Sequence, residues 1–439
     1  MSASRFRLPA FLVDFFWKFP HVFFLLKWLL ISGIVGVLVG SASAFFLVSL
    51  DWVTNWRESH VWIIAFLPVA GFCVGCLYYY FGKTVEAGNN LLLDNIHRPS
   101  GIIPFRMAPL VLFGTLVTHL FGGSAGREGT ALQIGGSTAD QLTKLLGLRP
   151  RDRKFLLIAG IAAGFGSVFG TPMAGAVFGL EVFLVGSLRY NALIPAFAAS
   201  IFADLTTKAW QVGHTHYQIP IVPELTLPFV LYAAGAGAVF GLCSIVFGEL
   251  THEIGAYLKR ILAFAPLRPL VGGAVVALAV WALGTTKYIG LGIPTILESF
   301  QTHLPPYDFL IKILLTAITL GASFKGGEVT PLFFIGATLG NALSYVLPLP
   351  VGLLAGMGFV AVFAGATNTP LACTIMALEL FGVACGPYVA IACIIAYVFS
   401  GHRGIYGSQR IGQSKHLIFS KQEGQSLAEL KLLRRKRKI

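Results

Sequence analysis

The chain has 439 residues, 56% of them hydrophobic and 12% charged, with a formal net charge of +13. Soluble domains carry about 25% charged residues, and at a mean hydropathy of +0.76 a protein of this size has too much apolar surface to hide from water. A soluble enzyme is excluded, and so is a transmembrane β-barrel, because the apolar runs are long and continuous instead of short and alternating.

What remains is an all-α polytopic membrane protein. Its positive charge sits mostly in loops and tails: Arg5, Arg7, Lys18 and Lys27 precede the long spans, and RRKRK at 434–438 closes the chain. Such charge reads as topogenic, facing the cytoplasm and anionic lipid. It does not read as a nucleic-acid surface, because there is no soluble domain to bind one. The six cysteines lie in apolar surroundings; Cys73 and Cys76 form a CxxC, but no second pair or histidine cluster completes a metal or redox site. They are expected to be packing residues. The run 22–50 is too long for a cleavable signal and is interrupted by Lys27, so it is expected to stay in the chain.

In chain order, apolar runs occupy 29–50, 61–81, 107–121, 155–182, 229–247, 270–283, 309–322, 331–347, 353–381 and 389–400. A helix needs about 20 apolar residues to cross a bilayer, and several of these runs are shorter or broken by glycine. Broken and half-length helices are what transporters use to aim helix ends at a site near the midplane.

The chain also repeats itself. Gly36-x3-Gly40 returns as Gly237-x3-Gly241, and GNNLL at Gly88 is matched in position by GLGIP at Gly290. Gly126, Glu128, Thr130, Leu132 and Gly136 are matched 200 residues later by Gly326, Glu328, Thr330, Leu332 and Gly336. TPMAGAVFGLEVF at Thr171 pairs with TPLACTIMALELF at Thr369. Four blocks in one order at nearly constant spacing indicate two homologous halves. The expected organisation is an N-terminal segment 1–27, repeats 28–210 and 228–410 joined by a linker 211–227, and a basic C-terminal tail 411–439. From the residues alone the halves are either inverted or parallel.

The residues that could carry chemistry cluster where helices should begin. GGSAGREGTALQIGG at 122–136 places Arg127 and Glu128 in a glycine-rich turn inside very apolar sequence. Ionisable groups at membrane depth are costly and normally face a polar pathway, and glycines such as Gly126 and Gly129 let backbone N–H groups converge on an anion. GNNLLLD offers Asn89 and Asn90 before an apolar run. KGGEVTPLFFIGA repeats the turn with Glu328, Val329 and Thr330, and GHRGIYGSQ carries Tyr406. Helix N-termini converging on one point could hold an anion without a full positive charge; taken one at a time, the same residues would serve as ordinary caps. Glu181 and Glu379, matched across the halves, read as structural helix-end residues. The cluster RPRDRK at 149–154 and His214 and His216 read as solvated loop residues.

GREGT after a glycine turn, GGEVTPLFFIGATLG in the second half and the late Tyr406 resemble the CLC family of anion channels and anion/proton antiporters, over about residues 28–410. The resemblance implies an inverted-repeat fold with many broken and tilted helices, assembled as a homodimer with one anion pathway per subunit and no cofactor. It implies that Glu128 is a gating glutamate whose carboxylate fills an anion site when ionised and swings away when protonated. It implies a central role for the Tyr406 hydroxyl on the bound anion.

The departures carry information. Most of the family has GSGIP where GNNLL stands, so Asn89 replaces an anion-coordinating serine; GLGIP at 290–294 looks like that motif but lies in the wrong half. GREGP is GREGT here, GGxFxP is GGEVTP, and the internal proton-relay glutamate of the chloride/proton antiporters would fall at Val182. Together these resemble the fluoride/proton antiporter branch. An Asn amide offers two donors where Ser offers one, which suits a small, strongly hydrated anion, and Glu328 supplies a second carboxyl. The expectation is a fluoride/proton antiporter in a bacterial inner membrane with both termini cytoplasmic; the alternative is a chloride channel or chloride/proton antiporter.

Overall fold

The structure, a computed structural model, describes residues 20–436, so Arg5, Arg7, Lys18, Arg437 and Lys438 lie outside the described residues. These residues form seventeen α-helices and one short strand pairing. The first eight helices are α1 (Pro20–Ser59), α2 (Leu67–Phe81), α3 (Asn89–His97), α4 (Met107–Leu120), α5 (Glu128–Leu145), α6 (Pro150–Phe169), α7 (Pro172–Glu181) and α8 (Leu193–Ala209). The same succession of long and short helices then returns. It comprises α9 (Leu227–Ile261), α10 (Leu267–Leu283), α11 (Ile293–Ser299), α12 (Asp308–Gly321), α13 (Val329–Leu343), α14 (Val351–Thr367), α15 (Pro370–Phe381) and α16 (Gly386–Phe399). Helix α17 (Leu427–Lys436) closes the described chain.

Helix ends follow local rules. Proline sits in the first turn of α6, α7, α9, α11 and α15, where its missing N–H leaves no gap in the helical ladder. Helix α6 stops at Gly170 in the left-handed conformation. Four segments, His21–Ser59, Val61–Phe81, Tyr190–Ala209 and Leu227–Ile261, are long and apolar enough to cross a membrane. Helix α1, roughly 60 Å long at 1.5 Å per residue, exceeds the hydrocarbon thickness of a bilayer and must tilt or protrude. It buries Trp28, Val35 and Val39 while exposing Leu30 and Trp52, the pattern of a helix with one face on protein and one on lipid.

The core is pinned by small residues. A Cβ on Gly135 would come within 2.2 Å of the Gly160 carbonyl, and one on Gly336 within 2.0 Å of the Gly358 carbonyl. The backbones of α5 and α6, and equivalently of α13 and α14, therefore touch, as small residues permit between membrane helices. Phe333 stacks on Phe359 with centroids 4.0 Å apart.

Two reciprocal contacts relate the halves. Glu181 accepts hydrogen bonds from the N–H groups of Leu371 and Ala372 at 3.2 and 2.9 Å, and Glu379 accepts from Met173 and Ala174 at 3.0 and 2.8 Å. Each glutamate, near the C-terminal end of its own short helix, caps the N-terminus of the equivalent helix in the other half, so α7 and α15 run antiparallel. Gly126 and Gly327 likewise exchange both backbone hydrogen bonds, at 2.6 and 2.7 Å. Contacts in which i meets j and j meets i mark a two-fold relation. For helices lying along a membrane normal, an antiparallel pairing of equivalents suits inverted halves and not parallel ones.

One expectation is corrected here. Arg153, from the supposedly solvated RPRDRK, is buried. It pairs with Asp140 at 2.7 Å and also donates to Asn95 and the Gly101 carbonyl. A charge can be buried when its partners satisfy it, and Asp140 lies one helix away, invisible in linear sequence. The segment after 410 packs back on the fold: β2 (Arg410–Ile411) pairs in parallel with β1 (Leu184–Val185), Leu427 and Leu430 pack on Ile411, and Lys431 binds Glu249 at 2.8 Å.

Candidate functional site

Three helix N-termini meet at the glycine bridge. Helix α5 starts at Glu128 with Arg127 as its N-cap, α13 starts at Val329 with Glu328 as its N-cap, and α3 starts at Asn89 after Gly88 in a positive-φ turn. A Cβ on Gly129 would lie 3.0 Å from Asn89 Nδ2, 3.1 Å from Gly327 Cα and 3.8 Å from Glu328 Oε2. The three starts thus approach within van der Waals contact, and only an unsubstituted backbone fits between them. Neither Asn89 nor Asn90 caps its own helix through its side chain.

The Glu128 side chain, fully buried, turns onto the other half. Its Oε2 accepts from the N–H of Thr330 at 3.0 Å and of Arg127 at 3.1 Å, and its Oε1 accepts from the Thr330 hydroxyl. Arg127 Nε stands 3.7 Å from Oε1. The carboxylate therefore sits in the first turn of α13, held by charge-assisted hydrogen bonds and by the positive end of the helix. The first turn of a helix is a place that stabilises negative charge. A side chain at 126 would strike the carboxylate, since a Cβ there would lie 2.8 Å from Glu128 Oε2. Thr130, the residue that departs from GREGP, is hydrogen-bonded to Thr115 at 2.6 Å and takes no part in this contact.

On one side of this carboxylate lies a polar cavity of about 660 Å³, lined among others by Asn89, Asn90, Gln133, Glu328 and Tyr406. The Tyr406 hydroxyl and Asn89 Oδ1 are buried and have no protein hydrogen-bond partner. Buried polar atoms are almost always paired, so these two are placed to meet a solute. Asn90 is different: its Oδ1 accepts from the Ser408 N–H at 3.0 Å, which ties the Tyr406 loop to α3. The same lining carries Lys83, Lys259, Arg268 and Lys325 against Glu86 and Glu328, a mostly cationic set that draws anions in.

The structure thus brings Asn89, Asn90, Arg127, Glu128, Gly129, Glu328, Thr330 and Tyr406 to one place. Gly126 is there too, but its N–H is taken by the Gly327 carbonyl, so it shapes the turn without an N–H free for an anion. Val329 is buried in the first turn of α13 and does not line the cavity. GLGIP serves elsewhere: Gly290 packs on the Arg57 guanidinium, and its carbonyl accepts from buried Lys312 at 2.8 Å. Gln133 and Lys325 escaped the sequence reading; Lys325 directly precedes the second glycine turn, and Gln133 lies in the helix that Glu128 begins. Lys312 had a readable signal, as a lone cation in an apolar helix. His214 is corrected as well, because both its ring nitrogens are buried; His216 is exposed.

A bundle of broken membrane helices, two-fold related and meeting end-on at a buried carboxylate beside a polar cavity, defines an ion-transport protein of the membrane. The chain belongs to the voltage-gated chloride channel family, the CLC family, whose pattern matches residues 87–401. It is 57% identical over 399 residues to a chloride/fluoride channel protein of Pseudomonas syringae pv. tomato, an alignment covering 90% of this chain and 88% of that one. It is similar to the crystal structure of a CLC-type fluoride/proton antiporter, with a TM-score of 0.86 at 36% identity over 89% of this chain and 99% of the other. A slow cyanobacterial Cl⁻/H⁺ antiporter shares the fold, with a TM-score of 0.76 at 17% identity over 87% and 96% of the two chains.

Proposed function

We propose that the protein is a fluoride/proton antiporter that exports fluoride across a bacterial inner membrane, with Glu128 as both gate and proton carrier. The observation that carries the proposal is the Glu128 carboxylate seated like an anion on the N-terminus of α13. An ionised carboxylate there blocks the path. Protonation removes its charge, weakens its hold on Thr330 and the helix end, and frees the position for an anion from the cavity.

The mostly basic lining of the cavity supports a cytoplasmic orientation for that side. Helix α1 crosses from its N-terminus and α2 returns to the level of Lys83, which supports an N-terminus on that side, and a C-terminus on the same side is part of the proposal. The fluoride preference is supported by the names of the two relatives above and by the donor set. Asn89 brings an amide, Tyr406 an unpaired hydroxyl, and Glu328, when protonated, one more O–H. The apolar Val182 offers no relay carboxyl on the route used by chloride/proton antiporters. A homodimer, each subunit with its own pathway, is part of the proposal on family grounds.

The test is ion flux from liposomes followed by fluoride, chloride and pH electrodes together. Uphill proton movement driven by a fluoride gradient is expected, and Glu128→Gln should abolish it while leaving the protein folded. Fluoride flow without proton movement would leave a channel, chloride moving as fast as fluoride would refute the substrate, and intact coupling in Glu128→Gln would remove the carrier.

A further inference from the structure

The loop between α12 and α13 puts into the cavity a lysine that no protein oxygen satisfies. Helix α12 ends at Gly321, and Ser323 follows at φ 73° with its N–H on the Leu320 carbonyl at 2.9 Å. A residue other than glycine stays in the left-handed region only where its surroundings over-determine it. Phe324 supplies an anchor: it is buried, and a Cβ on Gly71 of α2 would lie 2.5 Å from its ring. Lys325 comes next, three residues before Glu328. Its stem runs against α4, where a Cβ on Gly114 would lie 2.8 Å from Lys325 Cγ.

Lys325 Nζ stands 3.9 Å from the centroid of the Tyr78 ring, inside the roughly 6 Å reach of a cation–π contact. The side chain is half-buried and lines the cavity; among the described residues it has no ion-pair partner and no hydrogen-bond acceptor. The charged groups that face it are Glu86, which does not reach ion-pair distance, and Lys259. Other sheltered lysines find oxygens. Lys312 donates to the Tyr288 and Gly290 carbonyls, and Lys287 pairs with Asp308. Lys415 is the close comparison. It too lies over a ring, Tyr397 at 3.8 Å, yet it also donates to Asn368, the Tyr397 carbonyl and Ser400. An ammonium carries three donors; a ring face answers its charge and leaves those donors open. Tyr78, Asn89, Glu328 and Tyr406 line the same cavity, so one space joins this ammonium to the groups that the proposal above gives to the anion.

We propose that Lys325, held by the Tyr78 ring, is a receiving site for a small monovalent anion, which fluoride occupies in the cavity before it reaches Asn89 and Tyr406. The inference rests on the cavity being the fluoride path. The ammonium offers a full charge and charge-assisted hydrogen bonds, which suits a strongly hydrated ion. The helix ends beside Glu128 offer only about half a positive charge each, so an anion gains from being gathered before it meets them. Transport also needs a site that lets the ion leave, and the Tyr78 ring, by already answering part of the charge, keeps the hold shallow.

The test uses the full chain in liposomes, with initial fluoride flux measured against sodium fluoride concentration. Lys325→Gln should raise the half-saturating concentration by about tenfold or more, the range for a lost hydrogen bond to a charged group, with Tm unchanged. Lys325→Arg keeps charge, donors and ring contact and should stay near wild type. Tyr78→Leu should raise the value about threefold, within the range for a cation–π contact. Lys83→Gln, whose ammonium lies over Tyr79 on the same lining, controls for the general field. Its smaller effect should vanish in concentrated gluconate salt, which screens distant charges, while that of Lys325→Gln should persist. Wild-type half-saturation in Lys325→Gln would overturn the site. So would a rise that Lys83→Gln matches and salt erases in both, because that is a diffuse field. A loss shared by Lys325→Arg and accompanied by a lowered Tm would overturn it too, marking a packing residue. If the wild type moves fluoride without protons, the carrier reading fails and the half-saturation values still decide the site; if it couples and those values do not move, only the site fails.

Discussion

Thr330→Val isolates the contact between the halves. Valine keeps the shape of threonine and the backbone N–H to Glu128 Oε2, but it removes the hydroxyl that donates to Oε1. Glu128 then keeps two of its three hydrogen bonds, with the Arg127 guanidinium 3.7 Å away. A hydrogen bond to a charged group contributes about 1.5–3 kcal/mol. The seated conformation should therefore lose roughly 10- to 150-fold in population against the displaced one. An ionised carboxylate that leaves its seat opens the path without taking up a proton, so fluoride should leak uncoupled. The assay is simultaneous fluoride and proton flux from liposomes, read as protons moved per fluoride, at neutral and alkaline pH. The ratio should fall in Thr330→Val, most at alkaline pH, where wild-type flux is limited by proton supply. A wild-type ratio at both pH values would show that the hydroxyl does not hold the gate, and the argument from the seated carboxylate would collapse.

Two further outcomes follow from the geometry. Asn89→Ser should lower the fluoride-to-chloride flux ratio, since it withdraws an amide from the mouth of the site; an unaltered ratio would move the determinant to Glu328 or Thr330. Glu181→Ala and Glu379→Ala should each lower stability by about 1–2 kcal/mol, the range for a lost N-terminal cap, and lower Tm in detergent without changing the selectivity ratio. A shift in selectivity with no change in Tm would overturn the capping role.

The membrane class, the repeat and the location of the site were legible in the chain itself. Composition alone forbids a water-soluble core, and a repeat leaves its glycines, prolines and glutamates at fixed offsets whatever the packing. Glu128, Glu328, Asn89 and Tyr406 could be found because a polar residue beside a glycine turn in apolar sequence has few structural excuses. What the sequence could not determine was pairing across the two-fold. Glu181 and Glu379 look like helix ends in either half, and only the antiparallel packing of α7 on α15 makes each the cap of the other. Arg153 looks like loop charge until α5 brings Asp140 beside it. His214 looks like a solvated linker residue until the linker packs its ring on Gly170 at the end of α6. Local composition fixes where helices start and which groups are costly to bury, because those are properties of a few neighbouring residues. Which buried group meets which partner depends on how the helices pack, across 13 positions for Arg153 and Asp140 and 202 for Thr330 and Glu128; that is why the Thr330 seat of Glu128 belongs to the tertiary structure alone.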